Sequence, residues 1–534
     1  MFHERRSCAF ALAIVFLLSG CFKVGPDFHR PESVVSPGWI DAGDERVRNG
    51  PTDYREWWKA FNDPVLGRLI ERAYRENLTL KIAGIRVLEA RAQLGIAIGR
   101  IFPQSQQASG SVERIRTSQS ADQAVPPFIY SQDQIGLNAS WELDFWGRFR
   151  RSIESANATW LATVADYDNA LVSLTADVAN SYIAIRTLEK RIAIARENVE
   201  IQKENLKITE ARFRFGTVTE LDVEQARTVL NNTLGSIPSL ETQLRQQENA
   251  LCVLLGIAPG DLSDLLKGTS EIPVSPPQVI AGIPADLLRR RPDIRSAEYQ
   301  AAAQSALIGV AKADLYPAFS LNGSFGFLST NVDRSSSVFG GAGGKSDLAD
   351  IFKWKSRMFQ IGPSFQWNIL NYGQITNNVR AQDARFQELL ITYQNTVLKA
   401  QQDVEDNLAA FLRAQERAGY LTQSTVAARN ALDLAVKQYR QGIRDFTTVL
   451  VAQQSLLNEQ DNLAVALGSI SSGLVGVYRS LGGGWEIREG KELVPPGVKE
   501  EMAKRTDWGE LLAPASYNPP VLTEPKPSIR PPDW

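Results

Sequence analysis

Histidine and cysteine are scarce in this 534-residue chain, and their scarcity excludes much of enzyme chemistry. The two histidines are His3 and His29, and the three cysteines are Cys8, Cys21 and Cys252. One histidine and one free cysteine left after signal removal cannot build a zinc site of the usual kind. They also leave little scope for a Cys/His or Ser/His/Asp arrangement. The acidic residues are spread over helical faces, where solvated charge is the default. With 58 basic and 60 acidic side chains the net charge is −2, so no basic excess points to nucleic acid. Past the N-terminus no apolar run approaches the length of a transmembrane helix. Gly344-Lys345-Ser346 ends like a P-loop, but the frame requires glycine where Phe339 stands. We therefore expect no enzyme, no cofactor and no metal.

The N-terminus carries an address. Arg5 and Arg6 precede an apolar run over residues 8–18, followed by Ser19, Gly20 and Cys21. That is a secretory signal over 1–20, too short to span a membrane. Leu18-Ser19-Gly20-Cys21 also resembles a bacterial lipobox, cleaved before a cysteine that is then acylated. Several acyl chains on Cys21 would anchor the protein, since one chain binds only marginally. Phe22 stands where inner-membrane lipoproteins commonly carry Asp, which favours the outer membrane. Only Cys252 then remains, so no intramolecular disulfide can form even in an oxidising compartment. Beside Leu251, Cys252 reads as core.

The chain also repeats itself. Trp141, Gly147, Gly216, Leu255 and Gly256 recur 226 residues later as Trp367, Gly373, Gly442, Leu481 and Gly482. Val164, Leu171, Val178, Ile185, Ile192, Val199, Leu206 and Phe213 are spaced by seven, and their counterparts from Leu390 to Tyr439 are apolar except Thr425. A seven-residue apolar repeat keeps one stripe on a partner helix. Each half thus predicts a long helix, a turn at Gly216 or Gly442, and a return helix (147–255 and 373–481). A helix over 147–213 would be roughly 100 Å long. It would form either a coiled-coil spacer or the wall of a channel.

Strands precede each long helix, at about 106–117, 133–145, 317–328 and 357–369. Phe319, Leu321, Phe325 and Phe327 alternate with small or polar residues, as do Phe359, Ile361, Phe365 and Trp367. Ten-residue segments with one apolar face resemble membrane barrel strands, although a soluble hairpin packed on a helix shares the pattern. Strands cross a membrane only in a closed barrel. Four per chain cannot close alone, so the membrane reading requires an oligomer.

Several motifs identify a family. Trp57-Trp58-Lys59-Ala60-Phe61-Asn62-Asp63-Pro64, the stretch Ile283-Pro284-Ala285-Asp286-Leu287-Leu288-Arg289-Arg290-Arg291-Pro292-Asp293-Ile294, Trp141-Glu142-Leu143-Asp144-Phe145-Trp146-Gly147-Arg148 and Ser480-Leu481-Gly482-Gly483-Gly484-Trp485 stand in family order. Together they resemble the outer-membrane efflux lipoproteins, the OprM/NodT branch of the TolC-like superfamily, from Cys21 to about Trp485. The resemblance implies a mainly α chain with a membrane β-barrel. Three copies would share twelve strands and a long helical tunnel, with the repeats over 21–270 and 271–485 and a proline-rich tail over 486–534. Shorter helices within 52–102 and 271–316 would complete the tunnel and its belt. Pro103 and Pro317 would mark the passages from helix to strand, and Pro238 would bend the first return helix.

The implied function is a passive duct in a Gram-negative outer membrane. It would be fed by a periplasmic adaptor and an inner-membrane pump of the resistance-nodulation-division type. The adaptor would meet the tips at Arg214, Gly216, Thr217, Gly442 and Ile443. By offset from the turn glycines, Asp222, Tyr439 and Arg444 would hold the aperture closed, while Thr448 and Val451 stand where relatives can carry acidic rings. An exit duct for protein secretion or metal export, and a lipid-anchored spacer or adhesin without a pore, remain as alternatives. The exported substrate is not legible, because a wide tunnel is expected to lack a pocket for one solute.

Overall fold

The computed structural model describes residues 23–48, 50, 53–116, 118, 129–331 and 347–513. The signal segment, Cys21, the glycine-rich loop with Lys345 and the tail beyond 513 lie outside the described residues.

Two helices, α1 (Pro64–Glu76) and α2 (Leu78–Gly99), lead into strands β2 (Ser105–Arg116) and β3 (Ile129–Leu143). Then come α3 (Arg148–Arg214) and its return helix α4 (Glu220–Leu254). The second half repeats the order with α5 (Pro284–Arg290), α6 (Pro292–Ala313), β5 (Ala318–Thr330), β6 (Arg357–Gln366), α7 (Gln374–Arg440) and α8 (Phe446–Ser480). A short α9 (Pro496–Arg505) follows, and the two-residue strands β1 (Val47–Arg48) and β4 (Val279–Ile280) pair in parallel. Both long helices have 67 residues and both return helices 35, so every boundary shifts by 226.

The heptad seam explains the long helices. Leu171, Val178, Ile185, Val397, Val404 and Phe411 are fully buried, and each such side chain contributes about 1.5–3 kcal/mol on leaving water. Helix α4 continues through Pro238. Packing gives a single layer of helical columns in the order α2/α4, α3, α6/α8, α7. Two of these columns are built from shorter helices set end to end, and the joints are equivalent. Asn77, the residue before α2, donates its amide to the Leu254 carbonyl at the end of α4, 2.9 Å away. Arg291, the residue before α6, donates to the Ser480 carbonyl at the end of α8, also at 2.9 Å. Carbonyls that end a helix without partners are thereby satisfied.

Strands β2, β3, β5 and β6 form one antiparallel sheet in that order, leaving β2 and β6 as open edges. The strand-to-column junctions repeat too. The Trp141 indole donates to Ile101 O (3.1 Å), and the Trp367 indole to Leu315 O (3.0 Å). The second strand begins at 129 and stops at 143, earlier at both ends than its apolar alternation predicts. It stops because Asp144 turns back to accept the amides of Phe149 and Arg150 at the start of α3. Likewise Trp367 and Ile369 lie beyond the end of β6.

One face of the layer carries a belt. Trp57, Trp58, Phe61, Leu66, Leu69 and Ile70 pack there against α3 in the main core, which also encloses Cys252. Tyr182 and Arg186 of α3 reach into the belt, to Asp63 (2.8 Å) and the Leu266 carbonyl (2.6 Å). The tail holds more apolar pattern than its proline content suggests, since Val494 and Met502 are buried against Leu88 of α2. Buried Asp168 of α3 pairs with both Arg488 and Arg295, fastening the tail's root to the layer. Helix α8 is long and apolar enough by composition to cross a membrane. That corrects the sequence expectation, and its apolar face is accounted for by burial between α3 and α7.

Candidate functional site

The end of the layer far from the sheet is formed by two turns with the same backbone. Gly216 takes φ +71° and Gly442 φ +76°, a conformation that glycine adopts without strain. The Gly216 amide bonds Phe213 O and the Thr217 amide bonds Arg212 O; Gly442 to Tyr439 and Ile443 to Gln438 repeat the pattern. Both are Schellman endings of a long helix. Arg214, Phe215, Gly216 and Thr217 are exposed on one tip, and Gly442, Ile443 and Arg444 on the other. Phe215 is 81% exposed and Ile443 65%, so the tips present apolar groups to water.

The return helices are capped with their residues exchanged. In the first half Thr219 caps α4 and its amide and hydroxyl both donate to Asp222 Oδ2, each at 2.8 Å. In the second half Asp445 caps α8 and its Oδ1 accepts from the Thr448 amide (3.2 Å) and hydroxyl (2.7 Å). Those bonds hold the Asp445 carboxyl below the usual carboxylate range. The acid missing at Thr448 therefore stands three residues earlier.

Within one protomer Asp222 bonds Thr219 and not Arg444 or Tyr439. Arg444 is exposed and makes no ion pair among the described residues. Tyr439 is 4% exposed, lies against Phe446 with ring centroids 5.2 Å apart, and has Arg212 stacked 4.4 Å above its ring. Arg212 also donates to the Tyr439 carbonyl, 2.5 Å away. Sequence reasoning missed Arg212, because its counterpart in the second half is Gln438 and nothing in the repeat singles it out. The Tyr439 hydroxyl is buried with no partner among the described residues.

At the opposite end, where strand passes into helix, Trp146 stacks on Tyr316 (4.6 Å) and Phe145 meets Phe319 (5.5 Å). A strap from the N-terminus is clamped there. The Val24 amide donates to Trp146 O, and the buried Arg151 donates to Val24 O and Gly25 O at 3.1 and 2.9 Å.

The profile of the family described as outer membrane efflux protein matches residues 69–257 and 283–483, one stretch in each half. The chain is 30% identical to Nodulation protein T of Rhizobium leguminosarum bv. trifolii, over 84% of this chain and 92% of that one. It is 31% identical to the pyoverdine export outer membrane protein OpmQ of Pseudomonas aeruginosa, over 88% and 96% of the two chains. Among solved structures, the outer-membrane channel OprN superposes with a TM-score of 0.79 at 32% identity, covering 87% of this chain and all of that one. The Campylobacter jejuni CmeC outer membrane channel gives a TM-score of 0.75 at 25% identity, over 91% and 99%.

Proposed function

Because this chain belongs to the outer membrane efflux protein family, we infer that it is the outer-membrane duct of a tripartite efflux pump. Small organic solutes pass through it unaided, delivered by an inner-membrane pump of the resistance-nodulation-division type through a periplasmic adaptor. The observation that carries this reading is an open four-stranded sheet continued by an open four-column helical layer. Neither closes within one chain, and strands cross a bilayer only when closed. Three copies joined edge to edge make both a twelve-stranded barrel and a tunnel. Purified protein in planar bilayers is expected to pass steady current; well-folded trimers that never conduct would refute the duct.

The anchor is Cys21. Only Phe22 separates it from Lys23 in the clamped strap, a reach of at most about 7 Å. The gate is made between copies, by Asp222 with Arg444 and Tyr439. Supporting it, among the described residues Arg444 is exposed without an ion pair and Asp222 Oδ1 accepts no hydrogen bond. The adaptor engages the tips at Arg214, Gly216, Thr217, Gly442 and Ile443, where exposed Phe215 adds apolar surface.

A further inference from the structure

A cavity of about 930 Å³ lies at the joint between α6 and α8. Its lining draws on every column: Gln247 of α4, Asn180 of α3, Arg479 of α8 and Asn407 of α7. A hollow that touches all four columns lies on one face of the layer. Tyr182 and Arg186 show that the belt covers the other face. The cavity therefore opens on the face that a closed tunnel turns inward.

Its polar groups are unevenly satisfied. Arg291 is fully engaged with Asp293, Asp403 and the Ser480 carbonyl, and it holds the roof of the cavity. Asp177 and Arg479 are different. They face each other across 3.5 Å with both side chains about half exposed, at 47% and 48%. Asn180, one turn from Asp177 on the same face of α3, has a buried Oδ1 with no partner among the described residues. Burial holds the Asp177 carboxyl above its ordinary range against the opposing pull of Arg479. The site thus holds an acceptor pair, Asp177 with Asn180, next to one loosely held guanidinium.

We propose that this cavity is a transit site for zwitterionic organic solutes, with the ammonium on Asp177 and Asn180 and the carboxylate on Arg479. A lone cation would leave Arg479 unpaired, and a lone anion would leave Asp177 unpaired. A zwitterion replaces one loose ion pair with two and fills the empty acceptor. The volume admits a drug-sized molecule. By threefold symmetry, three such sites ring the tunnel at belt height. The proposal rests on the reading of the chain as a duct.

Two penicillins separate the possibilities. Ampicillin carries an ammonium and a carboxylate, whereas benzylpenicillin keeps the scaffold and the carboxylate and lacks the amine. In trimers reconstituted in planar bilayers, ampicillin is expected to interrupt the current at concentrations about fivefold lower than benzylpenicillin, the factor that one half-exposed ion pair supplies. Asp177→Asn should bring ampicillin to the benzylpenicillin level, and Arg479→Gln should weaken both. Asn180→Ala, a smaller change, should weaken ampicillin alone. In detergent-solubilised trimers, ampicillin should slow amide exchange over 169–184 and 472–480. Equal block by the two penicillins, or an ampicillin block that survives both Asp177→Asn and Asn180→Ala, overturns the site. If the parental trimers do not conduct at all, the duct reading fails instead. Amide exchange then decides the site, and unprotected segments overturn it.

Discussion

Asp222 serves its own helix before it can serve any neighbour. Its Oδ2 completes the α4 capping box with Thr219, and such caps contribute about 1 kcal/mol. The gate and the cap can be told apart by mutating either end of the box. Asp222→Ala with Arg444→Ser should raise single-channel conductance and sensitise cells to large antibiotics such as vancomycin. Thr219→Ala should cost similar stability while leaving conductance at the parental level. If both variants raise conductance alike, helix fraying opens the tip; if the double variant stays at the parental conductance and susceptibility in well-folded trimers, these residues are not the lock. At the other end of the chain, Cys21→Ser should abolish incorporation of a palmitate analogue. Labelling that persists in the mutant would refute the anchor. Charge and aromatic character at the tips were legible in sequence. The burial of Tyr439 beneath Arg212 was not, because it depends on a residue from the other hairpin.

Among the elements, the duplication is carried by hydrogen bonds as much as by residues. Asn77 on Leu254 and Arg291 on Ser480 close equivalent joints with different chemistry. The glycines that follow those carbonyls both have positive φ, Gly256 at +69° and Gly482 at +71°. Their surroundings differ. A Cβ on Gly256 would come 2.4 Å from the Glu76 carbonyl oxygen, whereas one on Gly482 would come 3.2 Å from Arg291. Both substitutions by alanine should destabilise through backbone strain, by about 1 kcal/mol. Gly256→Ala should lose more, since it also clashes with backbone. Thermal unfolding of the two variants checks the order, and equal losses would mean that the first joint yields. The heptad spacing made the long helices readable. The joints were hidden, because each brings together residues 177 or 189 positions apart.

For the whole molecule, one chain is an incomplete object. Met358, Phe359, Ile361 and Phe365 of β6 remain exposed at the sheet edge, and Leu398 and Tyr420 on α7. In a single soluble copy such edges invite aggregation; in a closed assembly they face lipid or a neighbour. The protein is therefore expected to run on mild detergent gels as a trimer that heating converts to monomer. Migration as a monomer without heating would argue against closure. The period of seven, the alternation of two and the shift of 226 by themselves determined the long helices, the strands and the duplication, because periodicity is a local property of the chain. Tertiary structure decided which face is covered. The belt packs on one side of α3, and the cavity with Asp177, Asn180 and Arg479 opens on the other. No local pattern could show this, since the cavity exists only where the ends of two helices meet beside two longer ones.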